Sequence, residues 1–211
     1  MSPAASALRL TFACGLYDRV LPLYTGDVQP EGIDLNFLAI DNPREIFDRM
    51  AGSQAFDASE MSISEVITRI SAKQCPFVAI PVFPSRCFRH GFIAVNRKTV
   101  RAPKDLAGKR IGVALYTQTA AVFMRGLLAE EYGVDLSGVH WVEGAINQAA
   151  PHGHPTVLPV LRPVSITANQ TGRSLSDLIA AGEIDAILGT SLPASVPAWA
   201  NSCARPALVS T

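Results

Sequence analysis

Apolar residues fall into short runs broken by Gly, Pro and Asn, and the runs alternate between strand length and helix length. Residues 8–14 read as a buried strand that Gly15 ends, 17–24 as a short helix or a loop around Pro22, and 33–40 as a second strand. Pro43 stands near the start of a helix over 44–50 with Ile46, Phe47 and Met50 on one side. Residues 56–62 predict a short strand running into polar positions, and 64–72 a helix with Val66, Ile67 and Ile70 as its apolar positions. The order β, loop, β, α, β, α belongs to an open, mainly parallel sheet, so the expected class is α/β.

The rhythm then repeats. Residues 76–83 predict a strongly apolar strand, 84–90 a polar loop and 91–95 another apolar strand; Arg, Lys and Pro over 96–103 mark a crossing between lobes. A turn and basic-edged strand follow over 105–113. Next comes a helix over 120–132, with Val122, Phe123, Leu127 and Leu128 as its buried side and Gly133 as its stop. Residues 140–142 read as a strand, and 144–171 carry no clear period. Ser174 starts a helix over 175–181, Gly182 closes it, and 184–188 form a last strand. The expected organisation is lobe one over 1–97, lobe two over 98–190 and an irregular tail over 191–211.

Composition narrows the classes. In 211 residues, 48% hydrophobic content is ample for a core. Lys+Arg and Asp+Glu balance at 18 each without a run of like charges, so neither nucleic acid nor a membrane surface is an expected partner. The first ten residues lack a basic n-region, and Arg9, Asp18 and Arg19 interrupt the apolar run behind them; no secretory signal is expected, and the cytoplasm is the expected compartment. No apolar run approaches the ~20 residues of a membrane span. Cys14, Cys75, Cys87 and Cys203 show neither CxxC pairing nor metal spacing and read as free thiols, the first three buried. His140, His152 and His154 come without HExxH or an acidic cluster, so no metal or other cofactor is expected. The absence of a Walker sequence, GxGxxG and GxSxG disfavours nucleotide binding and serine hydrolysis.

Ligands of open α/β sheets bind beyond the carboxyl ends of the strands, which directs attention to four loops. In the first, Gly15 permits close backbone approach, and Arg19 suits either a carboxylate or a surface ion pair. In the second, Ser59, Glu60 and Ser62 place a carboxylate and two hydroxyls ahead of a helix, where helix capping and ligand contact are both open. The third gathers Arg86, Arg89 and His90 between two apolar runs, two planar forks for carboxylates and an imidazole for proton transfer near neutrality. The fourth, Tyr116 to Thr119, leads into a helix N-terminus that favours an anion.

The segments FDASEMS (56–62), PFVAIPVFPSRCFRHGFIAV (76–95), DLAGKRIGV (105–113), TAAVFMRGLLAEEYGV (119–134), His140-Trp141 and LSDLIAAGEIDAIL (175–188) carry a resemblance to a known family. Over roughly residues 8–190 the chain resembles the 4,5-dihydroxyphthalate decarboxylase family. The resemblance implies the type II periplasmic-binding-protein fold, with two lobes, open mainly parallel sheets and a small aromatic or organic acid in the cleft between them. It also implies a carboxy-lyase that converts 4,5-dihydroxyphthalate to protocatechuate. On that reading Arg86 and Arg89 hold carboxylates, and Thr119 with its helix N-terminus holds the second one from the other lobe. His90 donates the proton, Glu60 engages a ring hydroxyl, Tyr116 lines the ring, and Arg19 and Ser59 complete the substrate contacts. A non-catalytic solute-binding protein is the alternative reading. An inactive, truncated product is a third, because nothing after Leu188 reads as the return strand of the first sheet, and the fold is expected to be incomplete at its C-terminus. The sequence leaves homo-oligomer formation open.

Overall fold

The computed structural model describes residues 7–148 and 162–196, with the backbone of 209–210. Contacts gather the described chain into two units, one up to Cys87 and one from Phe88 onward. Residues 93–95 belong to the second unit, where they pair with residues 186–188.

In the first unit the branched and aromatic run of β1 (Leu8–Cys14) lies between β2 (Ile33–Ala39) and β3 (Ala58–Ser59), parallel to both. A short α1 (Leu21–Thr25) carries Pro22 in its first turn and stops at Gly26, whose φ of 80° is one that glycine adopts without steric cost. In α2 (Pro43–Gly52) the Asn42 side chain accepts the Arg44 N–H, and Ile46 and Met50 are buried with Ala13 and Phe56 in a small core. The following α3 (Ile63–Ser71) is tied to α2 by the largely buried Glu65, which meets both Arg44 (3.2 Å) and Arg69 (3.1 Å). Of its predicted apolar positions only Val66 is buried; Ile67 and Ile70 are 57% and 55% exposed.

The predicted strand over 76–83 is a correction: these residues form no regular element. Pro81 lies inside the run and lacks a ladder donor, and the Val82 N–H closes a tight turn onto the Ile80 carbonyl (2.8 Å). Phe77 packs on the small core, while Val78 is 90% and Phe88 89% exposed. Cys14 is buried as expected, but Cys75 is only half-buried and Cys87 is exposed, since both belong to this irregular stretch.

The second unit is a six-stranded sheet. Its order is β7 (Ile166–Ala168), β6 (His140–Glu143), β5 (Arg110–Val113), β8 (Ala186–Leu188), β4 (Ile93–Val95) and β9 (Val209–Ser210). All its pairings are parallel except β4 with β8. One face is covered by α4 (Thr119–Glu130), and the other by α5 (Leu175–Ala180) through Leu175, Leu178 and Ile179. Gly112 in β5 makes room for that second layer: a Cβ there would lie 2.9 Å from Ile184 Cδ1 and 3.2 Å from Leu175 Cδ1. Ser174 accepts the Asp177 N–H and Asp177 accepts the Ser174 N–H, a reciprocal cap that starts α5 at its predicted residue.

The buried side of α4 is Ala120, Ala121, Met124 and Leu128, not the predicted Val122 and Phe123; Phe123 is 61% exposed. Small alanines let the helix approach the sheet, and the bulkier neighbours are left outside. Of the expected irregular tail, residues 197–208 and 211 lie outside the described residues, as do His152, His154 and Cys203.

If 76–83 were a core strand, the double variant Val78→Ser, Ile80→Ser would cost several kcal/mol, about 2–5 for each buried aliphatic group removed. The observed exposure predicts instead a shift in unfolding free energy within about 0.5 kcal/mol, measured by urea denaturation.

Candidate functional site

In the first unit the carboxyl ends of β1 and β3 bring Gly15, Tyr17, Ser59 and Glu60 together. The Glu60 N–H bonds the Ala13 carbonyl (3.0 Å), which fixes the residue after β3 beside the end of β1. Its buried carboxylate accepts the Gly15 N–H at Oε1 (2.8 Å) and the Tyr17 hydroxyl at Oε2 (2.9 Å). A side chain at Gly15 would crowd both partners, since a Cβ would lie 3.2 Å from the Tyr17 ring and 3.3 Å from Glu60 Oε1. The buried Ser59 Oγ has no hydrogen-bond partner among the described residues. Ser62 holds the N-cap position of α3, with its hydroxyl 3.1 Å from Ser64 Oγ.

The loop after 83 is drawn to this cluster. Tyr17 bonds Ser85, and the exposed Arg19 donates from Nη1 to the Pro84 carbonyl rather than forming an ion pair. Arg86 donates from Nε to the Phe83 carbonyl (3.1 Å). Burial, and then the Glu60 charge, push both the Tyr17 phenol and the Cys14 thiol up to about 12.

In the second unit Tyr116 follows β5. Its N–H donates to Glu143 at the end of β6 (2.6 Å), and its ring meets the buried Trp141 edge-on at 5.3 Å. Thr119 is the first residue of α4 and is partly buried. Arg125, two turns into α4, lays its guanidinium 3.7 Å from the Tyr116 ring centre and donates to the Tyr116 carbonyl.

Arg89 and His90 lie ahead of β4, where Arg89 rests 5.8 Å from the Phe92 ring centre. His90 opens the 3₁₀ turn His90–Phe92 immediately ahead of β4. Its ring is turned toward Glu131 just beyond the far end of α4, 3.9 Å away, and not toward Thr119. The candidate residues thus form three groups: Glu60 with Ser59, Arg19 and Arg86 near the ends of β1 and β3; Arg89 with His90; and Tyr116 with Thr119. Tyr17 was legible only as a member of the Gly15 loop. Arg125 and Glu143 carried no sequence signal, since one reads as a polar helix position and the other as the end of a strand.

The raised thiol and phenol have a pH consequence. Unfolded, Cys14 and Tyr17 release protons near their ordinary values of 9.0 and 10.0; folded, they hold them to about 12. Their contribution to stability is therefore complete below pH 9 and lost as pH rises from 9 to 12. The unfolding midpoint is expected to fall across that window, and to fall less steeply in Glu60→Gln, which removes one cause of both shifts. An equal slope in the two proteins would show that Glu60 does not set these protonation states.

No family model matches the chain. It is 41% identical over 189 residues to the 4,5-dihydroxyphthalate decarboxylase of Comamonas testosteroni, an alignment covering 89% of this chain and 57% of that protein. It is 37% identical over 187 residues to the 4,5-dihydroxyphthalate decarboxylase of Pseudomonas putida, covering 88% of this chain and 72% of that one. The chain thus spans little more than half the length of the first relative and about 72% of the second. With this level of identity across most of its length, the chain belongs to the 4,5-dihydroxyphthalate decarboxylase family.

Proposed function

We propose that this chain is a carboxy-lyase acting on 4,5-dihydroxyphthalate and releasing protocatechuate and carbon dioxide. The observation that carries the reading is its 41% and 37% identity to two proteins that bear this activity in their names. The architecture agrees with it, since polar groups collect at the carboxyl ends of parallel strands in each unit, as ligand groups do in open α/β sheets. The finer class, a type II periplasmic-binding-protein fold, is part of the same proposal.

The substrate's own electrons drive the reaction. A ring hydroxyl para to one carboxylate pushes its electron pair into the ring as its proton is taken up by a base. The ring carbon bearing that carboxylate accepts a proton. The carbon–carbon bond to the carboxylate then breaks, its electron pair restores the aromatic ring, the oxygen takes its proton back from the base, and carbon dioxide leaves. The ring therefore gains one hydrogen for each carbon dioxide released.

Each part of this chemistry has a candidate residue. Glu60, with one hydrogen bond at each oxygen, retains lone pairs for a ring hydroxyl. Ser59 offers a buried hydroxyl beside it. Arg86 and Arg89 supply forks for carboxylates, with Arg19 near the same loop. Tyr116 and Thr119 supply an aromatic face and the start of a helix. His90 is the proposed acid; its ring, 3.9 Å from Glu131, must swing away to deliver the proton.

The test is turnover of 4,5-dihydroxyphthalate by the purified chain, followed by carbon dioxide release and product chromatography. One carbon dioxide per protocatechuate is expected. His90→Asn is expected to lower kcat by about 10²–10⁴-fold while leaving substrate binding in place. Tight binding without turnover in the unaltered chain would favour a solute-binding protein, and full turnover by His90→Asn would remove the acid assignment.

A further inference from the structure

Arg125 presents a cation that has no counter-ion among the described residues. Its guanidinium lies 3.7 Å from the centre of the Tyr116 ring and 5.7 Å from that of Trp141, and it bonds the Tyr116 carbonyl. Among the described residues no carboxylate comes within ion-pair distance of it. The acid that shares this neighbourhood, Glu143, is directed at the Tyr116 N–H instead.

A half-buried guanidinium loses much of its hydration, and stacking on an aromatic face offsets only part of that loss. Arginine has five N–H donors in a planar fork, and one carbonyl occupies only a small share of them. Side chains on a helix lean toward its N-terminus, so the head of Arg125 is carried back over Tyr116 in the loop that follows β5. A planar cation on an aromatic shelf, at the carboxyl edge of a parallel sheet, has the shape and charge to take a planar carboxylate bidentately. An aromatic acid also has a ring that can lie along the same shelf.

We infer that Arg125, seated on Tyr116, is a carboxylate-binding residue that selects aromatic dicarboxylates. This rests on the proposed activity for the identity of the substrate, but not for the existence of the anion site. Phthalate, which carries both carboxylates and no ring hydroxyl, serves as a probe that binds without the electron push the reaction needs.

The experiment combines phthalate titration calorimetry with steady-state turnover of 4,5-dihydroxyphthalate in the unaltered chain, Arg125→Gln and Arg125→Lys. Phthalate affinity is expected to fall at least tenfold in Arg125→Gln. Arg125→Lys keeps the charge but loses the fork, so its affinity should lie between the other two. In turnover, KM should rise by a similar factor with kcat within about threefold, a split that a purely structural role would not produce.

Phthalate binding by Arg125→Gln as tight as in the unaltered chain overturns the inference, as does the absence of phthalate binding in the unaltered chain. Phthalate binding that depends on Arg125, without any turnover, refutes the decarboxylase reading and leaves the anion site standing. Turnover with an unchanged KM in Arg125→Gln does the reverse. Should both variants fail to fold, phthalate protection of Arg125 against phenylglyoxal, mapped by peptide mass in the unaltered chain, decides: protection supports the site and its absence overturns it.

Discussion

The second unit depends on one late strand. β8 enters between β5 and β4, parallel to the first and antiparallel to the second, so residues 93–95 and 110–113 have no common sheet until 186–188 arrive. Asp185 fixes its register. Its backbone N–H bonds the Arg110 carbonyl (2.8 Å), its carboxylate accepts the Arg110 N–H across 75 residues, and its carbonyl accepts the Asn96 N–H (2.8 Å). The acidic position of the Gly182-Glu183-Ile184-Asp185-Ala186 motif is thereby explained by strand entry, with no chemistry required of it. Both faces of β8 are buried: Ala186 and Leu188 point into the larger core, and Ile187 into the layer under α5.

The first unit is held differently. Its apolar core is small, and charged groups link its parts: Glu65 joins Arg44 and Arg69 across α2 and α3, and Glu60 joins the ends of β1 and β3. A buried carboxylate with hydrogen bonds at both oxygens gives geometric definition where few side chains interdigitate, and removing one partner leaves a polar group unsatisfied. The residue proposed to meet substrate is therefore also one that shapes the sheet end, so function and local order share an atom group.

Much of this was legible in the sequence because the signals were local. The apolar run Leu8–Cys14 became β1 at its predicted limits, and Ser174 with Asp177 and Gly182 bounded α5 through capping and a left-handed turn. The failures came where a local pattern met a nonlocal condition. Apolar content over 76–83 suggested a strand, but Pro81 and the lack of a pairing neighbour prevailed. On α4 the bulkiest residues were assigned to the core, whereas close approach favoured Ala120 and Ala121. The four loops of interest were found because they follow apolar runs; how their side chains group was not, since Tyr116 meets Arg125 through helix geometry and Trp141 through strand pairing.

The irregular apolar segment also bears on how copies of this chain behave in a crowded solution. Phe77, Val78, Ile80, Val82 and Phe83 would suit a self-templating cross-β stack, being hydrophobic and uncharged. Pro76, Pro81 and Pro84 interrupt the run at both ends and within it, each withholding an amide hydrogen. The same prolines that deny the segment a place in a sheet of its own molecule thus shorten any ladder it would build with another, and act as gatekeepers against amyloid.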